Sequence, residues 1–239
     1  MTAPARPILE VHEVTKQFGG VIAVNGASFD VRQGSVTGLI GPNGSGKTTL
    51  FQMISGVDRP DRGSITFRGH SLAGKQPHEI NRLGLGRTFQ ITRLFGQMTA
   101  LENLMVASRT AARGDAERRA RELLEFVGLA ALAGEYATNL SYGQQKLLEF
   151  VRVLAPDPDL ILLDEPFAGV NPAMEERLVA HMRDLLAQGK TFFITDHEIR
   201  LIMALCERLI VLDHGEVIAD GTPEQVRQDE KVIEAYFGR

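Results

Sequence analysis

Apolar residues in this chain fall in short runs bounded by turn formers. Ser35-Val36-Thr37-Gly38-Leu39-Ile40, Leu160-Ile161-Leu162-Leu163 and Thr191-Phe192-Phe193-Ile194-Thr195 have the length of buried strands. Ile8 to Val14 alternates and reads as a strand, Lys16 to Gly20 as a turn, and Val21 to Val31 as one or two further strands. Ser64 to Gly69 alternates again. Gly86 to Gln90 reads as a strand ending on a polar residue, and Arg208–Leu212 with Glu216–Asp220 as a hairpin. Helical periodicity follows the first buried strand at Leu50 to Ile54, with a short helix at His78 to Leu83. From Ile91 to Leu154 the pattern turns mostly helical. Thr99 with Glu102 makes a capping-box start, and Asp115 to Val127 is amphipathic. Further helices span Pro172 to Gln188 and Ile199 to Cys206, and Thr222 opens a last short one. Strands alternating with helices predict an α/β fold.

The strand at Ser35–Ile40 runs straight into Gly41-Pro42-Asn43-Gly44-Ser45-Gly46-Lys47-Thr48-Thr49, and a helix follows. Strand, glycine-rich loop and helix are the context of a phosphate-binding loop. Glycines let successive backbone N–H groups approach phosphate oxygens, and the helix N-terminus adds a positive dipole end. Lys47 is placed to reach the β- and γ-phosphates and the Thr48 hydroxyl to ligate Mg²⁺, so ATP and Mg²⁺ are the expected ligands.

Leu160–Leu163 delivers Asp164-Glu165 at its carboxyl end, the usual place for a site in an open α/β sheet. Beside a phosphate loop the pair reads as a Mg²⁺ water-shell ligand, Asp164, and a residue acting on the attacking water, Glu165. The plainer reading is an acid pair capping the next helix. Phe18 is either a core ring or an exposed ring stacking on adenine.

Composition narrows the picture little further. The 239 residues carry a formal net charge of −4, which gives no electrostatic case for nucleic acid. Arg118, Arg119 and Arg121 lie among Glu117, Glu122 and Glu125 and read as a salt-bridged solvent face. The single cysteine, Cys206, excludes an intrachain disulfide. Met1–Glu10 has no apolar run of signal-peptide length, and no stretch is long enough to span a bilayer. Work at a membrane would require docking onto a spanning partner.

Leu140-Ser141-Tyr142-Gly143-Gln144-Gln145 resembles the signature motif of the ABC transporter ATPases. The order of landmarks is similar too: phosphate loop, Gln90, signature, Asp164-Glu165, then His197. The resemblance covers essentially the whole chain, residues 6–237. It implies a P-loop NTPase with a RecA-like core and an antiparallel β subdomain (about 6–90 and 156–222), a helical subdomain (about 91–155) and a C-terminal helix (about 223–237). It implies a head-to-tail dimer in which Ser141, Tyr142, Gly143 and Gln144 cap ATP bound to the partner's loop. It assigns Phe18 to adenine stacking and Gly41 to Thr49 to phosphate binding. Gln90 would link Mg²⁺ and the attacking water to the membrane partner, Glu165 would be the general base, and His197 would contact the γ-phosphate.

Tyr142 stands where most members have a second glycine, and Asn171 where many have aspartate. Both departures, with Gly86–Ile91 and Glu165–Pro172, look like the LivG-type ATPase of branched-chain amino acid importers. That branch implies ATP hydrolysis coupled to import at the cytoplasmic face of a bacterial or archaeal inner membrane. Its partners would be two permease subunits, a second non-identical ATPase (with self-pairing in isolation left open) and, indirectly, a solute-binding protein. Urea or amide import and lipopolysaccharide export are rival assignments, as is, more distantly, a soluble non-transport ATPase of the same type. Asn171 reads either as a neutral loop substitution or as a change in cross-dimer contact.

Overall fold

The computed structural model describes residues 6–88, 94–109 and 112–237. Gln90 lies outside the described residues. The chain opens with β1 (Pro7–Phe18), β2 (Val21–Arg32) and β3 (Val36–Ile40), then α1 (Lys47–Ile54), β4 (Arg62–Phe67), β5 (His70–Ser71), α2 (Pro77–Leu83) and β6 (Leu85–Arg87). Next come α3 (Ala100–Ala107), α4 (Arg113–Phe126) and α5 (Tyr142–Leu154). The remainder alternates: β7 (Leu160–Asp164), α6 (Pro172–Ala187), β8 (Thr191–Thr195), α7 (Ile199–Leu205), β9 (Arg208–Asp213), β10 (Glu216–Gly221), α8 (Pro223–Gln228) and α9 (Glu230–Phe237).

Two sheets form. The antiparallel one has order β2-β1-β4-β5, and the six-stranded one has order β10-β9-β3-β8-β7-β6. In the larger sheet β3, β6, β7, β8 and β9 are parallel, and β10 pairs antiparallel with β9. Its central strands β3, β7 and β8 are buried along their whole length, which explains their continuous apolar runs. Alternate residues feed different cores. Leu39, Leu160, Leu162 and Phe193 face a core shared with α1 and the antiparallel sheet. Ile40, Ile161, Leu163, Phe192 and Ile194 face a second core that takes in α3 to α6. Phe193 meets Phe51 of α1 and Phe29 of β2 at ring-centroid distances of 5.1 and 5.6 Å, joining the two sheets through α1.

Most expected elements form within a residue or two of their predicted ends. The capping box of Thr99 and Glu102 is complete, and the arginines of α4 pair with Asp115, Glu117 and Glu122. The structure corrects two readings and decides a third between its alternatives. Lys16 to Phe18 continue β1, so the turn shrinks to Gly19-Gly20. The Asp61 carboxylate accepts from the Gln17 amide and the Lys16 ammonium and extends the strand. Val21 to Val31 is one strand; register shifts in its pairing with β1 absorb its irregularity. The last helix is two, broken at Asp229, whose carboxylate accepts from the Lys231 amide and starts α9.

Candidate active site

The site forms where β3, β8 and β7 end side by side. Two glycines make the first loop possible. At Gly41, φ is +153° and a Cβ would lie 2.0 Å from the Leu212 carbonyl oxygen of β9. At Gly46, φ is +106° and a Cβ would lie 2.3 Å from the Ala23 carbonyl of β2. Any side chain at either position collides with backbone, so the loop can close only with glycine. Gly46 precedes α1 and no side chain caps that helix, leaving its first N–H groups for an external acceptor. Lys47 Nζ donates to the Gly41 and Pro42 carbonyls at 2.8 and 2.9 Å, bridging the loop from inside. Burial pulls its ammonium below the ordinary lysine range, while the carboxylates of Glu165 and Asp164 oppose the shift.

Asp164, only 3% exposed, ends β7. Its Oδ2 accepts from Arg87 Nη2 at 2.9 Å, and its backbone N–H donates to Thr88 Oγ1 at 3.1 Å. Burial raises its carboxyl above the usual range, and Arg87 works against that. Among the described residues nothing donates to Oδ1. The backbone of Glu165 is held at φ 51°, a conformation costing about 1–3 kcal/mol for a residue with a side chain. Its N–H donates to the Thr195 carbonyl at 2.8 Å, which ties the turn to β8.

At the end of β8, Asp196 is 2% exposed and links two loops. Its Oδ2 accepts from the Phe167 amide and its Oδ1 from the Glu198 amide, both at 3.0 Å. The link brings His197 Nδ1 to 3.9 Å from Glu165 Oε2, with the imidazole largely exposed. Lys47, Asp164, Glu165 and His197 are thereby brought together. Phe18 is 47% exposed and pairs with Val21, two residues before the Ala23 carbonyl that abuts Gly46. The exposed ring therefore lies at the end of the antiparallel sheet that meets the loop.

The signature residues are engaged elsewhere. Ser141 caps α5, accepting from the Gln144 amide, while Gln144 Oε1 accepts from the Ser141 amide at 2.9 Å. The Tyr142 hydroxyl donates to the Ala168 carbonyl at 3.1 Å, with its ring against Gly169. Among the described residues no hydrogen bond joins this segment to the phosphate loop of the same chain. Asn171 has a definite local role: its Oδ1 accepts from the Met174 amide at 3.0 Å and caps α6.

Sequence reasoning assigned no role to Arg87, Ser55, Thr88 or Asp196. The available signal was a charged residue ending an apolar strand, as at Gly86-Arg87-Thr88. Among the described residues no group of three or more His, Cys, Asp or Glu side chains could hold a metal ion. One carboxylate with a free oxygen and the exposed Thr48 hydroxyl make a sparse oxygen set. Mg²⁺ takes such a set when substrate phosphates complete its shell, so these residues fit it.

A phosphate loop on β3, acids at the end of β7 and a histidine after β8 define a P-loop nucleotide hydrolase built as an ATP-binding cassette. Residues 24–168 match the family described as ABC transporter, and the chain belongs to it. Residues 216–239 match the family described as branched-chain amino acid ATP-binding cassette transporter. The chain is 40% identical to the high-affinity branched-chain amino acid transport ATP-binding protein BraF of Pseudomonas aeruginosa, covering 98% of this chain and 99% of BraF. It is 37% identical to the corresponding LivG of Escherichia coli, over 98% and 99%. It is also 37% identical to the lipopolysaccharide export ATP-binding protein LptB of Acidithiobacillus ferridurans, over 97% of each. Among solved structures, an ATP-binding cassette in its ADP conformation superposes with a TM-score of 0.89 at 34% identity, covering 98% of this chain and 100% of that one. A dimeric cassette bound to ADP and phosphate gives 0.81 at 27% identity, over 90% and 98%.

Proposed function

We propose that this chain binds and hydrolyses ATP to drive an importer of branched-chain or other small amino acids. The single observation carrying the import reading is the C-terminal segment. Residues 216–239 match the branched-chain amino acid family, and α9 of that segment packs Tyr236 with its hydroxyl buried beside Gly41 of the phosphate loop. The specialised segment thus touches the catalytic loop.

In this reading the loop amides, the α1 N-terminus and Lys47 hold the phosphates, and Phe18 stacks on adenine. Thr48 and Asp164 would hold Mg²⁺, whose charge would offset that of the phosphate oxygens when bound. Glu165 orients and deprotonates the attacking water, and His197 beside it contacts the γ-phosphate. Gln90 would report this state to the membrane partner. Ser141 to Gln144, which cap the start of α5, act on the site of a second ATPase subunit. Residues 91–155 serve as the helical subdomain carrying them. In this reading the chain docks on two permease subunits at the cytoplasmic face, as an ATP-binding subunit of such a transporter would; among the described residues no helix is long and apolar enough to cross a membrane.

The likeness to LptB favours a second reading, lipopolysaccharide export. Tagged protein carrying Glu165→Gln, captured from native membranes with ATP present, tests both. Two permease subunits with a second, different ATPase support amino acid import. Partners of a lipid exporter would replace that reading. Ribosomal or DNA-repair partners without membrane subunits would overturn transport altogether.

A further inference from the structure

We propose that Arg87 is a positioning residue: it grips Asp164 by Oδ2 and so keeps Oδ1 for the nucleotide-bound cation. The inference rests on the Mg²⁺–nucleotide site proposed above and assigns a duty to a residue outside it.

Arg87 and Asp164 are both buried, with side chains 7% and 3% exposed, and they meet through one oxygen at 2.9 Å. The guanidinium has a second anchor. Nη1 donates to Ser55 Oγ at 2.7 Å, and that hydroxyl donates to the Phe51 carbonyl at 2.8 Å. Ser55 closes the C-terminal end of α1, whose N-terminal end follows the phosphate loop. Arg87 is therefore a strut between the helix that carries the phosphate loop and the acid that would hold the metal. The neighbouring Thr88 hydroxyl accepts from the Asp164 amide at 3.1 Å, so the end of β6 fixes this residue at backbone and side chain alike. The guanidinium also lies 6.0 Å from the Phe51 ring centroid, which limits its freedom to turn away. A planar donor pair suits this task, one arm for the carboxylate and one for the hydroxyl. Partners behind a metal ligand orient it, and their loss typically lowers metal affinity by about 10–100-fold.

The test is a Mn²⁺ titration of the full chain with saturating ADP, read by the electron paramagnetic resonance signal of free Mn²⁺. Wild type, Arg87→Met and Arg87→Lys are compared, with ADP affinity in EDTA and thermal melting recorded alongside. We expect Arg87→Met to weaken Mn²⁺ binding by at least about 10-fold while ADP affinity in EDTA changes by less than about 2-fold. Arg87→Lys should recover part of the loss, because an ammonium keeps the charge but not both arms. Should Arg87→Met fail to fold, the Lys variant and Ser55→Ala carry the test. Ser55→Ala removes only the second anchor and should weaken Mn²⁺ less than Arg87→Met. Unchanged Mn²⁺ affinity in the folded Arg87 variants, or an equal loss of ADP affinity in EDTA, overturns the inference. A wild type whose ADP binding ignores Mn²⁺ overturns the underlying site as well.

Discussion

At the carboxyl ends of β3, β7 and β8, polar groups bond across strands that are distant in sequence. At the start of α5 they bond mainly within one turn of their own helix. Asp164 reaches Arg87, Asp196 reaches Phe167, and Glu165 reaches the Thr195 backbone. Ser141 and Gln144 cap each other instead, and only Tyr142 reaches out, to Ala168. The difference teaches which half of the proposed site one chain can preassemble. The strand-end half is crosslinked before any ligand arrives. The signature half is a capped helix N-terminus, which in the proposed reading meets its ligand on another subunit.

The sharpest test of that contrast removes the chemistry but not the scaffold. Glu165→Gln should lower turnover of the assembled complex by about 10²–10⁴-fold while nucleotide binding persists, measured by phosphate release and equilibrium binding. The next breaks a crosslink. Asp196→Ala leaves the buried Phe167 amide without its acceptor, at a cost of about 1–3 kcal/mol. A chain of this size should then melt roughly 2–4 °C lower per kcal/mol, and the Glu165 loop should gain amide hydrogen exchange. On the signature side the losses should be smaller. Ser141→Ala removes an N-cap, worth about 1 kcal/mol, and should leave nucleotide binding by the isolated chain unchanged. Tyr142→Phe deletes one hydrogen bond at a half-exposed ring and should cost about 0.5 kcal/mol or less in denaturant melts, with its effect confined to turnover of the dimer. Least of all, Arg121→Ala breaks the surface pair with Glu117 and should stay within about 0.5 kcal/mol of wild type. If Ser141→Ala weakened nucleotide binding in the isolated chain as strongly as changes at Lys47, the contrast between the halves would be wrong.

The LptB relative sharpens the same point at the level of function. Importer relatives share 37% to 40% identity with this chain and the exporter relative 37%, each over nearly the whole chain, so overall identity separates them little. What favours the import reading is the C-terminal segment, through its family match. Within that segment burial pushes the Tyr236 phenol up to about 12, although a phenol is protonated at neutral pH with or without that shift. Cys206 behaves alike: burial raises its thiol to about 12 and leaves it unreactive.

The linear chain determined most of what is local. Gly41 to Thr49 is legible because a phosphate loop needs neighbouring residues in one order, and strand and helix flank it in sequence. The runs at Leu160 and Thr191 are legible because a strand buried on both faces must be apolar at every position. Thr99 with Glu102 announces a helix start because a capping box closes over three residues. Only the tertiary structure decided contacts made across strands. That Arg87 grips Asp164, and that Asp196 ties the loop after Glu165 to the loop of His197, depends on β6, β7 and β8 lying side by side. Near the end of β1, the Lys16 ammonium and the Gln17 amide likewise find their acceptor on Asp61, a residue far along the chain. Periodicity records which face of an element is buried. It does not record which distant residue supplies the partner.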